Sequence, residues 1–367
     1  MLRMEAVSSY NEFLSLKPVW NSLLAKSDMD VPFISFEWFE LWFKMFCKDE
    51  EMLILIVKDG DETMAIAPLK KERIILRGIP VNTIKFPANY YSTRAGLIME
   101  GNNKGIMSFV LDYLDKQEYK YDMLYLDFVV TDSFTDTQIR DTASSKDLAL
   151  KEMKGANSPY INLHSDWASY LKQRSSNFRS NLKHRENVLR KEGNYEIILH
   201  KSDNAEKALS EMIDISKKTW KYARKAGIAG SNKSIKFFSA LTRMLAANNW
   251  LNIWILYLDG SPIAFIFNIV YKNRIYGKQT GYDKKYRYLS PGNILIAETV
   301  KDAFDKKYEE YDLLGEDEPF KLEFTSTCRM HSKYFIFGNT LKGGLLRFIE
   351  CNAIPMLKGL TCSKSKL

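Results

Sequence analysis

Cysteine and histidine are both scarce in this 367-residue chain, with four of each. Cys47, Cys328, Cys351 and Cys362 stand far apart, as do His164, His184, His200 and His331. No pair has metal-ligand spacing, and no Gly-x-Ser-x-Gly elbow is present. These absences exclude a recognisable zinc site and a Ser-His-Asp or Cys-His arrangement. No metal is expected, and the thiols fit a reducing compartment. Long apolar runs are missing too. No stretch approaches a membrane span, and the start MLRMEAVSSY lacks a signal-peptide core. The expectation is a soluble cytoplasmic protein. A hydrophobic content of 46% with 13% aromatics excludes a disordered or fibrous chain.

What is present is concentrated positive charge. The formal net charge is +8. Between Lys172 and Lys191 seven cations face Glu186 alone, and the tail from Leu341 sets five against Glu350. The remainder is slightly acidic. Trp167, Leu171, Phe178, Leu182 and Leu189 lie at helical spacing within residues 165–193, so one amphipathic basic helix is expected, with Gly193 as its stop. Arg179 and Lys183 on its polar face are candidates for holding an anion: a phosphate-bearing ligand, RNA or a lipid surface. The apolar residues of 345–360, joined to Arg347 and Lys358, give a tail that docks on the main body or makes weak membrane-surface contact.

The chain repeats itself. ILIVKDGDETMAIA (54–67) parallels WILYLDGSPIAFI (254–266), and YKYDMLYLD (119–127) parallels YEEYDLLGED (308–317). Each half reads strand, two helices, three-stranded meander, helix, strand. Helices are expected over 11–26, 36–46 (capped by Ser35), 104–115, 205–223 and 234–247. Strands are expected over 2–7, 52–57, 63–69, 122–128, 195–200, 251–258, 263–271, 274–282, 311–314 and 334–337. The organisation is a module over 1–157, a second over 158–340 and a tail over 341–367. The class is α+β: two tandem modules, each a mixed, mostly antiparallel sheet flanked by helices.

The stretch 250–321 carries most of the chemistry. Its loop meets Ser290-Pro291-Gly292-Asn293, where Ser290 suits an N-cap and Pro291 the first helical position. A helix start after a strand offers unpaired N–H groups and a positive dipole end to phosphate. Gly315-Glu316-Asp317-Glu318 closes the stretch.

The order of elements resembles the GCN5-related N-acetyltransferase (GNAT, acyl-CoA N-acyltransferase) module, and its duplication resembles the FemAB-like transferases. SPYINL (158–163), FRSNLKHRENVLRKEG (178–193), Trp220, LDGSPIAF (258–265), GYDKKYRYLSPGNIL (281–295), YDLLGEDEPFK (311–321) and FEWFELWFKMF (36–46) are similar to the cellulose-biosynthesis CelD/BcsL, or BioF2-like, acetyltransferases. Phe320 departs from the Tyr usual there. The resemblance implies acyl transfer from a thioester, normally acetyl-coenzyme A, to an amine or hydroxyl of a small-molecule, glycan or peptide acceptor. It implies that strands 274–282 and 311–314 splay apart. The pantetheine arm would follow Lys278, Gln279 and Thr280, and the pyrophosphate would meet Ser290, Gly292 and Asn293. Trp220 and Lys321 would face substrate.

For proton transfer, a carboxylate of raised pKa is needed: Glu316 or Asp317, where packed like charges would lift one, with Asp283 second. Tyr282 or Tyr276 would protonate the leaving thiolate. The first copy lacks a Ser-Pro-Gly helix start and is expected to be supporting. Two other readings stand beside this one. A FemAB-like enzyme would take its acyl group from aminoacyl-tRNA, with RNA on the basic helix. A non-catalytic scaffold for polysaccharide assembly would transfer nothing. The expected location is cytoplasmic, at most peripheral to the inner face of the membrane.

Overall fold

The computed structural model describes residues 1–101, 103–116 and 119–354. The chain divides into two compact units: residues 1–156 with the segment from Met330 onward, and residues 157–329. The tail beyond residue 354, with Cys362, lies outside the described residues. Cys47, Cys328 and Cys351 are free thiols. No described helix is long and apolar enough to cross a membrane.

The first unit runs β1 (Leu2–Val7), α1 (Tyr10–Ser15), α2 (Lys17–Leu24), α3 (Phe36–Phe46), β2 (Met52–Asp59), β3 (Glu62–Leu76), β4 (Ile79–Lys85), β5 (Ile98–Met99), α4 (Ile106–Lys116), β6 (Met123–Val130), α5 (Phe134–Ser145) and β7 (Leu150–Asn162), whose end passes into the second unit. The second runs α6 (Trp167–Gln173), α7 (Ser176–Glu192), β8 (Tyr195–His200), α8 (Ala205–Lys218), α9 (Asn232–Ala247), β9 (Leu251–Leu258), β10 (Ser261–Tyr271), β11 (Arg274–Tyr282), α10 (Pro291–Asp305), β12 (Glu310–Asp312) and α11 (Pro319–Leu322). Then β13 (Cys328–Phe337) and α12 (Leu341–Phe348) return the chain to the first unit. The second unit begins at residue 157, and β13 pairs with β6 of the first unit.

Both sheets share a plan. In the first, the order is β1-β2-β3-β4-β6-β13, antiparallel except for β4 beside β6. In the second, the end of β7 is followed by β12, β11, β10, β9 and β8, antiparallel except for β11 beside β12. The duplicated hairpins agree further. Met64 in β3 and Ile263 in β10 are each skipped by the pairing, a bulge at the same place in both copies. All eight residues of β9 are buried, as expected for a strand covered on both faces.

Several helices are shorter than the apolar pattern announced. The helix expected over 11–26 breaks after Ser15, and Pro18 sits in the first turn of α2, where its missing N–H costs nothing. The basic helix expected over 165–193 is two helices. Arg174 is extended and Ser175 caps α7, its Oγ accepting the Phe178 N–H at 3.1 Å. The helix expected to reach residue 223 ends at Lys218. The expected strand over 311–314 ends at Asp312.

That early end of β12 has a physical cause. The Asp312 carboxylate is fully buried and accepts from Arg329 at 2.7 Å, from Ser158 Oγ at 3.1 Å and from the Leu314 N–H at 2.8 Å. Arg329 also bonds both oxygens of Glu310, at 3.2 and 2.8 Å. Burial opposes the guanidinium charge, but its partners raise the Arg329 pKa overall. Leu314 (φ 51°) and Gly315 (φ 66°) then turn the chain away in the left-handed region. Replacing Arg329 with Met leaves two buried carboxylates without their cation and is expected to cost about 3–5 kcal/mol. Replacing Arg243, exposed in its pair with Glu206, is expected to cost under about 1 kcal/mol. Urea unfolding of both variants checks this; equal losses would contradict the role given to the cluster.

Candidate active site

β11 and β12 lie side by side only as far as Tyr276 and Asp312. β11 then runs on to Tyr282, paired with β10 on its other side. Lys278 is skipped between the pairs Phe267–Gln279 and Asn268–Gly277, so the strand bulges where the two part. Gly281 is required here, since a Cβ would meet Phe265 Cε1 at 2.6 Å.

A pocket of about 210 Å³ opens beside this stretch. Thr280, Gly281 and Tyr282 of β11 form one wall, and Gly292, Asn293 and Ile296 of α10 another. Thr219, Trp220 and Lys221, just past α8, and Phe320 of α11 complete it. Five residues expected from sequence thus meet in one place: Trp220, Thr280, Tyr282, Gly292 and Asn293.

The start of α10 differs in detail from the expected cap. Ser290 is left-handed (φ 52°), and its side chain caps nothing. Its carbonyl instead accepts the N–H groups of Asn293 at 3.1 Å and Ile294 at 3.3 Å. Pro291 has no N–H. Gly292 keeps an N–H without an acceptor among the described residues. The Asn293 side chain donates to Glu323 at 3.3 Å. A side chain at Gly292 would begin 3.6 Å from the Tyr282 ring, inside the pocket.

Lys221 was not legible as a site residue, because a lysine past a helix C-terminus is an ordinary dipole partner. Its Nζ donates to the Thr280 carbonyl at 3.4 Å and lies 5.9 Å from the Trp220 ring centroid. Burial pushes its pKa down, Glu318 opposes this, and Lys321 adds to it. Trp220 is 49% exposed, with Arg224 over its ring at 5.0 Å. Lys278 keeps part of its surface accessible, yet burial of the ammonium pushes its pKa down to about 7. Thr280 Oγ1 donates to the Phe265 carbonyl at 3.1 Å, so its hydroxyl is committed to the sheet. Neither Lys278 nor Gln279 lines the pocket.

The other expected residues lie elsewhere. Glu316 and Asp317 are both exposed, and Asp317 accepts from Asn157 at 3.2 Å. The burial that a carboxylate base requires is therefore missing at both. Asp283 is committed to the Lys285 N–H at 2.9 Å, starting the 3₁₀ turn Lys284–Leu289. Lys321 is buried; it donates to the carbonyls of Leu314 (2.6 Å) and Glu316 (3.2 Å) and pairs with Glu318. It pins the turn after β12. Arg179 and Lys183 line a different groove, between α7 and α10. No group of three or more His, Cys, Asp or Glu among the described residues could hold a metal.

Comparison with known proteins gives the fold an identity. Residues 176–322 match the family model described as an acetyltransferase (GNAT) domain. No curated protein matches the sequence. Among solved structures, the C-terminal domain (DUF2156) of a putative lysylphosphatidylglycerol synthetase from Agrobacterium fabrum is similar at TM-score 0.57 and 10% identity, covering 92% of this chain and 95% of that one. FemX is similar at TM-score 0.57 and 11% identity, covering 94% and 100%. A tandem GNAT protein from the clavulanic acid biosynthesis pathway is similar at TM-score 0.52 and 10% identity, covering 93% and 100%. The chain has a tandem GNAT fold.

The buried ammonium beside the bulge gives a pH signature. Between about pH 7 and the ordinary lysine value near 10.4, the unfolded chain binds a proton at Lys278 that the folded chain has released. Stability contributed here is full above the unfolded pKa and lost as pH falls through the folded one. Melting temperatures of the wild type are therefore expected to rise between pH 7 and 9 relative to Lys278→Met. Parallel melting curves of the two proteins across that range would contradict the burial.

Proposed function

We propose that the second unit transfers an acyl group from a coenzyme A thioester to an amine or hydroxyl. The observation that carries this reading is the pocket where β11 has lost β12 and α10 begins with an acceptor-free Gly292 N–H. An anionic pyrophosphate is stabilised at such a helix start, by the N–H and the dipole together. The absence of a side chain at Gly292 leaves room for it. The match of the family model to residues 176–322 supports placing the chemistry in this unit.

In the reaction, the acceptor nitrogen or oxygen bonds to the thioester carbon, and the carbon–sulfur bond breaks. The acceptor proton must go to a base, and the leaving thiolate must gain a proton. Lys221, whose pKa burial lowers, stands in the pocket as the group that accepts this proton. The Tyr282 hydroxyl, in the same pocket, supplies the thiolate proton. This assignment replaces the exposed carboxylates Glu316 and Asp317. The CelD/BcsL resemblance supports a glycan or cell-envelope acceptor. FemX-like architecture and exposed Arg179 and Lys183 support a second reading, in which an aminoacyl-tRNA ester is the donor. Transfer-RNA binding with a steep salt dependence separates the two.

Calorimetry with acetyl-coenzyme A is expected to show binding to the wild type and at least tenfold weaker binding to Gly292→Phe. Lys221→Met is expected to keep donor affinity and lose about 10²–10⁴-fold in kcat, with loss of the acid limb of the pH–rate profile. Donor binding unaffected by Gly292→Phe would rule out this pocket. An unchanged pH profile in Lys221→Met would rule out the assigned base.

A further inference from the structure

A second concavity in the same unit lies apart from the proposed catalytic pocket. It measures about 570 Å³, within the range of small-molecule sites. Its floor is hydrocarbon. Trp167 and Leu171 come from α6, Leu182 from α7, Ile197 from β8, and Ile294 and Ala297 from α10. The first four of these are only half-buried, so a continuous apolar surface faces outward at the bottom of a groove.

The rim is charged. Arg179, Lys183 and Arg190 of α7 stand with Lys301 of α10, against Glu186 and Glu298. Arg190 is held by Glu186 at 2.6 Å and lies over the Tyr195 ring. Arg179 donates to the carbonyls of Leu171 and Arg174 while staying exposed. Lys183 and Lys301 have no anionic partner among the described residues, and both are exposed. A lone exposed lysine needs no explanation. Unpaired lysines on two helices bordering one apolar floor form a combined pattern.

We infer that this groove binds a single phosphate-headed amphiphile. Its hydrocarbon chain covers the floor, and its phosphate sits at the rim served by Lys183 and Lys301. Charge complementarity selects an anionic head. The floor selects hydrocarbon over a nucleobase, because the six residues that form it offer no side-chain acceptor to read a base edge, and their one side-chain donor is the Trp167 indole N–H. The inference stands independently of the acyl-transfer reading, since no residue is shared between the two pockets.

The test uses dodecyl phosphate below its aggregation limit, titrated calorimetrically into the full chain. Saturable one-to-one binding is expected. Dodecyl maltoside, with the same chain and a neutral head, and inorganic phosphate, with no chain, should each bind at least tenfold more weakly. The double variant Lys183→Glu/Lys301→Glu, altered only at exposed positions, should keep its melting temperature and lose at least tenfold in affinity. Ile197→Asp should lose affinity through the floor instead. Equal binding of the neutral analogue, equal binding of inorganic phosphate, or full affinity in the double variant overturns the inference. So does co-sedimentation with phosphatidylglycerol vesicles without saturable monomer binding, which marks a flat electrostatic contact. Transfer-RNA binding that the double variant abolishes, with no uptake of dodecyl phosphate, assigns the rim to nucleic acid and overturns it as well.

Discussion

Much of the second unit is governed by where two parallel strands stop running together. The buried Asp312 carboxylate takes hydrogen bonds from Arg329, Ser158 and the Leu314 amide, so β12 can be only three residues long. A left-handed pair, Leu314 and Gly315, then carries the chain off, and Lys321 ties that turn down through two carbonyls. β11 has no such terminator and continues past the last shared pair. Beyond the last shared pair, the end of β11 lines a pocket together with Trp220 and Gly292. A charge cluster that is costly to bury is thus placed where the pairing of β11 with β12 ends.

Helix α10 serves two recesses. Gly292, Asn293 and Ile296 border the pocket at the strand end, while Ile294, Ala297 and Lys301 border the groove under α7. Its first turn is anchored by an unusual left-handed Ser290, which turns its carbonyl rather than its hydroxyl to the helix. The result is that one backbone N–H, that of Gly292, is left without an acceptor among the described residues.

How much of this was legible depended on whether a residue announced itself through local chemistry. The repeat was legible because hairpin turns and apolar runs recur in order, and the matching bulges at Met64 and Ile263 confirm the shared plan. Ser35 and its aromatic helix were legible as a cap followed by a stripe. Helix α5 was not, since its buried face sets only Ile139 and Ala143 among the polar Thr135, Asp136, Gln138 and Thr142. Strand β7 was not, because Gly155 and Pro159 interrupt it. In the site, Gly292 and Tyr282 could be placed by motif. Lys221 could not, because its special surroundings come from residues nearly sixty and a hundred positions away, Thr280 and Glu318. For the carboxylates Glu316 and Asp317 the converse holds: sequence gives proximity to a strand end but not exposure.

The central claim is that the unpaired edge of β11 and the start of α10 together receive an activated acyl donor. Amide hydrogen exchange with and without acetyl-coenzyme A tests it directly. The account predicts slowed exchange over residues 277–293, with residues 274–276, already bonded to β12, unchanged. Protection confined to other segments, or no protection at saturating donor, would contradict it.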